Sequence, residues 1–118
     1  MTRWPTELTL AKDKRALSIT FEDGVSHSLS AEYLRVMSPS AEVQGHSPDQ
    51  RKTVGGKQDV MILNVIPVGN YAVRLTFDDM HSTGIFGWDY LDKLGREHGE
   101  RWEAYVAELA AKGMKRGR

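Results

Sequence analysis

Leu17, Ile19 and Phe21 alternate with Ser18 and Thr20, the two-residue period of a strand with one face in a core. Asp23-Gly24 follows, and a glycine there accepts the positive φ of a tight turn. Val25, His27 and Leu29 resume the alternation, so the stretch reads as a β-hairpin, preceded by a short strand at Leu8 and Leu10. Ser30 predicts an N-cap for a helix over Ala31 to Met37, with Leu34 and Tyr33 inward and Glu32 at the positive end of the dipole. Ser38-Pro39 ends that helix, or caps a second helical turn. Val60 to Val68 is the most apolar run and predicts a central strand buried on both faces. Tyr71, Val73, Leu75 and Phe77 alternate with Ala72, Arg74 and Thr76 in a second hairpin, followed by the short apolar piece Ile85-Phe86. Trp88, Leu91 and Leu94 then share a helical face. A break is expected near Arg96 to Gly99, and a second helix carries Trp102, Tyr105, Val106 and Leu109 as its apolar stripe. Gly113 is a C′ cap, and the basic tail after it is expected to fray.

These elements predict an α+β domain. Two antiparallel hairpins form the sheet or sheets, a short helix follows the third strand, and the C-terminal helices pack on the sheet. Its 118 residues suit one domain over 1–118, with 38–58 as a long loop and 96–118 as a C-terminal helical extension. Residues 44–58 offer almost nothing to bury, and loops of that length are usually functional or unstructured.

Composition narrows the function classes. Lys and Arg number 16 and Asp and Glu number 16, so the chain lacks the cationic excess a general nucleic-acid binder uses to displace counterions. With no cysteine, disulfides, thiolate catalysis and cysteine-held metals are excluded for this chain. The N-terminal MTRWPTELTL has no signal-peptide run, and no stretch approaches the roughly 18 apolar residues of a membrane span. The expectation is a cytoplasmic protein with neither nucleic acid nor membrane as partner. Val54-Gly55-Gly56-Lys57 is too short for a phosphate-binding loop, and no Ser-His-Asp signature is visible.

The titratable residues suggest two constellations. Asp78, Asp79 and His81 have the chemistry of a divalent-metal site or a proton shuttle, or form a turn in which the carboxylates bond backbone N–H groups. His46, in the long loop, is a candidate to meet His81, with Glu42 beside them, as a metal or small-ligand site. Arg35, Arg51, Lys52, Lys57 and Arg74 are either a patch for an anionic partner or dispersed solvated charge. Trp88 and Trp102 are assigned to packing, and Trp4 to the surface.

The order ITFEDGVSHSLSAEYLRVMSPSAEVQGH, then VGNYAVRLTFDDMHSTGIFGWDYLDKLG, then a helix with RWEAYVAEL resembles the small N-terminal domain of gamma-butyrobetaine hydroxylase and related dioxygenases. The same domain occurs alone in bacteria as the DUF971-type domain of unknown function. The resemblance covers roughly residues 5–95 and more loosely the last helix. In the dioxygenases a separate domain holds ferrous iron and uses 2-oxoglutarate. Here the four histidines, His27, His46, His81 and His98, include no His-x-Asp pair, so a hydroxylase reading is rejected.

The resemblance also implies a zinc site, held in the hydroxylases by a Cys-x-Cys-x-x-Cys run and a histidine. Those positions fall on Ser38, Ser40, Val43 and His81. A serine hydroxyl stays protonated at neutral pH and valine cannot ligate, so no zinc or other cofactor is expected. The segment around Ser38 is expected to replace the metal with hydrogen bonds and caps. The family domain is joined to unrelated partners, among them dioxygenases and ATPases that carry iron–sulfur clusters. The expectation is therefore a non-catalytic accessory or protein-interaction domain with a protein partner. The alternative is a metal- or small-ligand-binding protein, linked to iron–sulfur or metal-enzyme metabolism and using His81, His46 and Asp79.

Overall fold

The computed structural model describes residues 4–44, 52–82 and 84–117. Strands β1 (Pro5–Leu10), β2 (Ala16–Phe21) and β3 (Ser26–Ser30) lead into helix α1 (Ala31–Val36) and the single turn α2 (Ala41–Gln44). Strands β4 (Ile62–Val68), β5 (Ala72–Phe77) and β6 (Gly84–Gly87) follow, then helices α3 (Trp88–Arg96) and α4 (His98–Ala111). The strands form two three-stranded sheets, ordered β1-β2-β3 and β4-β5-β6, with all pairings antiparallel. The predicted first strand joins the first hairpin as β1, the short apolar piece at Ile85-Phe86 becomes the third strand of the second sheet, and the chain is the α+β domain its pattern implied.

The middle strands carry the clearest alternation and supply the core. Leu17, Ile19 and Phe21 from β2 meet Val73, Leu75 and Phe77 from β5, together with Leu34, Phe86, Leu91 and Leu94. Full burial of each such side chain contributes about 1.5–3 kcal/mol. The turn glycine reads as expected, with Gly24 at φ 87°. Ser30 caps α1, its Oγ accepting the Tyr33 N–H at 3.0 Å.

The run from Val60 to Val68 departs from expectation. It is an edge strand, not a central one: Ile62 is buried, but Leu63, Asn64, Ile66 and Pro67 are exposed. Pro67 has no N–H to offer a further neighbour, which suits an edge. Val106 is also exposed, because Tyr105 and Leu109 alone complete the buried stripe of α4.

The basic tail does not fray over the described residues. Gly56 and Gln58 donate backbone N–H groups to the carbonyls of Lys115 and Arg116. Arg116 grips the buried Glu32 carboxylate through two hydrogen bonds of 2.9 and 3.0 Å and lies 5.0 Å over the Trp102 ring. A buried carboxylate needs such a partner, and Glu32 thereby ties the chain end to α1.

Candidate functional site

Three predicted site residues converge where α1 ends. Ser38 and Ser40 leave α1, while the β5–β6 connection brings His81 against them; all three are buried. Ser38 Oγ lies 2.9 Å from His81 Nε2 and also accepts the Ser40 N–H at 3.3 Å. Gln44 Nε2 donates to the Ser38 carbonyl, and Ser40 O receives the N–H groups of Val43 and Gln44 to start α2. Val43 is buried nearby in sequence. Gly84 faces Ser38 so closely that a Cβ there would sit 2.5 Å from Ser38 Oγ, so the strand approaches only without a side chain.

Asp79 is the hub of an ion-pair cluster. Its Oδ2 accepts Arg35 Nε at 2.8 Å and Lys57 Nζ at 2.6 Å, and its Oδ1 accepts the backbone N–H of His81 at 3.2 Å. Burial pushes the Asp79 carboxyl up, but hydrogen bonds from Lys57, Arg35 and His81 outweigh it and hold the group below the usual carboxylate range. Arg35 Nη1 is buried without a hydrogen-bond partner among the described residues. Two residues of the expected basic patch, Arg35 and Lys57, are therefore spent on Asp79, while Lys52 and Arg74 are exposed and Arg51 lies outside the described residues. Asp78 Oδ1 accepts the Met61 N–H.

His46 and the Glu42 side chain also lie outside what is described. Among the described residues, no group of three or more His, Asp and Glu side chains is arranged to hold a metal ion. A third polar cluster was not singled out by sequence. His27 Nε2 lies 2.9 Å from Asp92 Oδ1, and Arg96 Nε donates to Asp92 Oδ2 at 2.9 Å. The spacing of Asp92 and Arg96 on one helix hinted at their pairing, but nothing local linked them to His27.

A cleft of about 430 Å³ lies between the end of α1, the segment 52–54 and α4. Met37, Val54 and Tyr105 give it apolar walls, and Ala104 stands exposed on α4 at its rim. Tyr105 donates its hydroxyl to the Val54 carbonyl at 2.6 Å, and Tyr90 donates to the Met37 carbonyl. Both hydroxyls are thus engaged by the backbone, so the rings face the cleft as apolar surface. Burial raises the Tyr105 phenol to about 12. Arg101 and Lys52 bring positive charge to the cleft, and Glu108 is engaged by Thr53 and by Lys112 at 3.7 Å. No single motif encodes this cleft, which is assembled from several segments.

The profile of the family described as gamma-butyrobetaine hydroxylase-like, N-terminal, matches residues 8–92. Two solution NMR structures are similar over nearly the whole chain. One has 42% identity and a TM-score of 0.84, covering 99% of this chain and 92% of that one. The other has 44% identity and a TM-score of 0.84, covering 98% and 86%. A crystal structure of a protein of unknown function in the DUF971 family, from Acidithiobacillus ferrooxidans, has 38% identity and a TM-score of 0.65, covering 77% of this chain and 91% of that one. Among curated proteins nothing matches. Among the described residues, no helix is long and apolar enough to cross a membrane.

Proposed function

The chain belongs to the gamma-butyrobetaine hydroxylase-like N-terminal domain family, and from that premise we propose that it is a non-catalytic protein-interaction domain whose contact face is the α1–α4 cleft. The observation that carries this reading is how differently the polar clusters and the cleft use their side chains. His27, Asp79 and His81 are each engaged inside the protein by Asp92, by Arg35 and Lys57, and by Ser38. Groups held in this way serve structure. The cleft instead combines aromatic and aliphatic surface with an arginine, the composition typical of the energetic centre of an interface.

Ala104→Arg fills the cleft from an exposed helix position and should leave the fold intact. Affinity capture from native extract is expected to recover a stoichiometric partner with the unmodified chain and with Ile66→Thr on the outer sheet face. The same partner should be lost with Ala104→Arg. Recovery of one partner set by all three proteins, or of none, contradicts the reading.

A further inference from the structure

The charges around the cleft say more about what it receives, and this inference rests on the interaction reading above. Among the described residues, Arg101 has Glu97 Oε1 on its Nε at 3.0 Å and the Met37 thioether 4.0 Å from Nη1. A thioether is a weak acceptor, so one face of the guanidinium is poorly satisfied. The Lys52 side chain is exposed and has no ion pair among the described residues. The acid of the cleft, Glu108, is already engaged by Thr53 and Lys112. Among the described residues that line it, Lys52 and Arg101 against Glu108 leave the cleft with an excess of positive charge over an apolar wall.

We propose that the cleft receives an acidic segment of a partner protein. An aliphatic or aromatic side chain seats against Met37, Val54 and Tyr105, and a neighbouring Asp or Glu carboxylate pairs with Arg101 and Lys52. A volume of about 430 Å³ accommodates a few side chains, and a planar guanidinium is suited to a carboxylate. The charge complementarity selects an acidic segment over a basic one.

The test is an amide-resolved NMR titration of the full, isotope-labelled chain with an acetylated, amidated Glu-Leu-Phe-Glu peptide at millimolar concentration. A matched peptide carries Lys in place of both Glu residues, and a single-stranded oligonucleotide forms a third arm. The acidic peptide is expected to shift the amides of Met37, Thr53, Val54, Ala104 and Tyr105, less so at high salt. The Lys peptide and the oligonucleotide should leave them unmoved. Arg101→Gln and Lys52→Gln should each weaken the acidic peptide by about tenfold; the Lys52 side chain has no ion pair to lose among the described residues, and its backbone bond to Val43 is kept by Gln, so this variant separates recognition from folding. Equal shifts by both peptides, no shift by either, or shifts by the oligonucleotide overturn the proposal. Equal shifts confined to these amides overturn this proposal while leaving standing the reading of the cleft as the contact face.

Discussion

Ser38 and His81 share a 2.9 Å hydrogen bond in the core, although 43 residues separate them in sequence. The pair closes the β5–β6 connection onto the end of α1. Leaving one partner of a buried bond unsatisfied costs about 1–3 kcal/mol. Ser38→Ala should lower stability by that amount in urea denaturation, and an unchanged midpoint would show that the bond contributes nothing. The resemblance to the zinc-holding domains adds a sharper outcome. A zinc ion with bonds of about 2.3 Å to sulfur and 2.0–2.1 Å to nitrogen holds those atoms roughly 3.6 Å apart in tetrahedral geometry. For that pair a small opening of the Ser38–His81 gap is enough, and the triple variant Ser38→Cys, Ser40→Cys, Val43→Cys should retain one zinc per chain by elemental analysis. A metal-free triple variant that still folds would contradict this.

Asp79 sets the response to acid. Its folded-state pKa lies below the unfolded value, so its contribution is fully present above the unfolded carboxylate value of about 4. That contribution is lost as pH falls through the lowered folded value. Asp79→Asn should reduce stability at neutral pH by about 1–3 kcal/mol, since Arg35 and Lys57 both lose a charge-assisted partner. The variant should also show a flatter decline than the parent chain on acidification. Parallel curves for the two proteins would contradict the assignment.

Alkali acts through buried tyrosines. Burial raises the phenols of Tyr33 and Tyr105 to about 12, and each donates to a backbone carbonyl, Leu94 O at 2.7 Å and Val54 O at 2.6 Å. A raised folded pKa means the stabilisation is full below the unfolded value of about 10 and disappears as pH rises through the folded value. Thermal unfolding followed across that window should show a steep loss of stability, reduced in Tyr33→Phe and Tyr105→Phe. Equal slopes in parent and variants would show that neither phenol is linked to folding.

Gly95 and His27 form a steric pair. A Cβ on Gly95 would fall inside van der Waals contact of three His27 ring atoms, so α3 lies on β3 only through this glycine. Gly95→Ala gains about 1 kcal/mol of helix propensity but meets an overpacking cost of about 1–3 kcal/mol. The net expectation is destabilisation. In a His27→Ala background the ring is gone and the same substitution should become neutral or stabilising. A double-mutant cycle by urea denaturation reads this reversal, and additivity would refute it.

The local patterns foretold the local structure. Alternation at Leu17, Ile19 and Phe21, and at Val73, Leu75 and Phe77, marked the middle strands, and Ser30 marked a cap that the structure contains. The apolar run of β4 misled because an apolar residue reads alike in a central strand and on an exposed edge; only Pro67 carried the distinction. The longer links were not legible. Arg116 and Glu32 meet across 84 residues, and His27 meets Asp92 across 65. Asp79 was singled out as a candidate ligand, but its hold on Arg35 and Lys57 depends on how α1 and the segment before β4 pack against a turn. The cleft is invisible in sequence for the same reason, since Met37, Val54 and Tyr105 come from separate elements.

Site-specific photo-crosslinking in the native cell tests the central claim most directly. A photoreactive residue at position 104 looks into the cleft, and one at position 85 looks outward from the sheet. The account predicts one dominant protein adduct from position 104 and none from position 85. Adducts from position 85 with none from position 104 would contradict it.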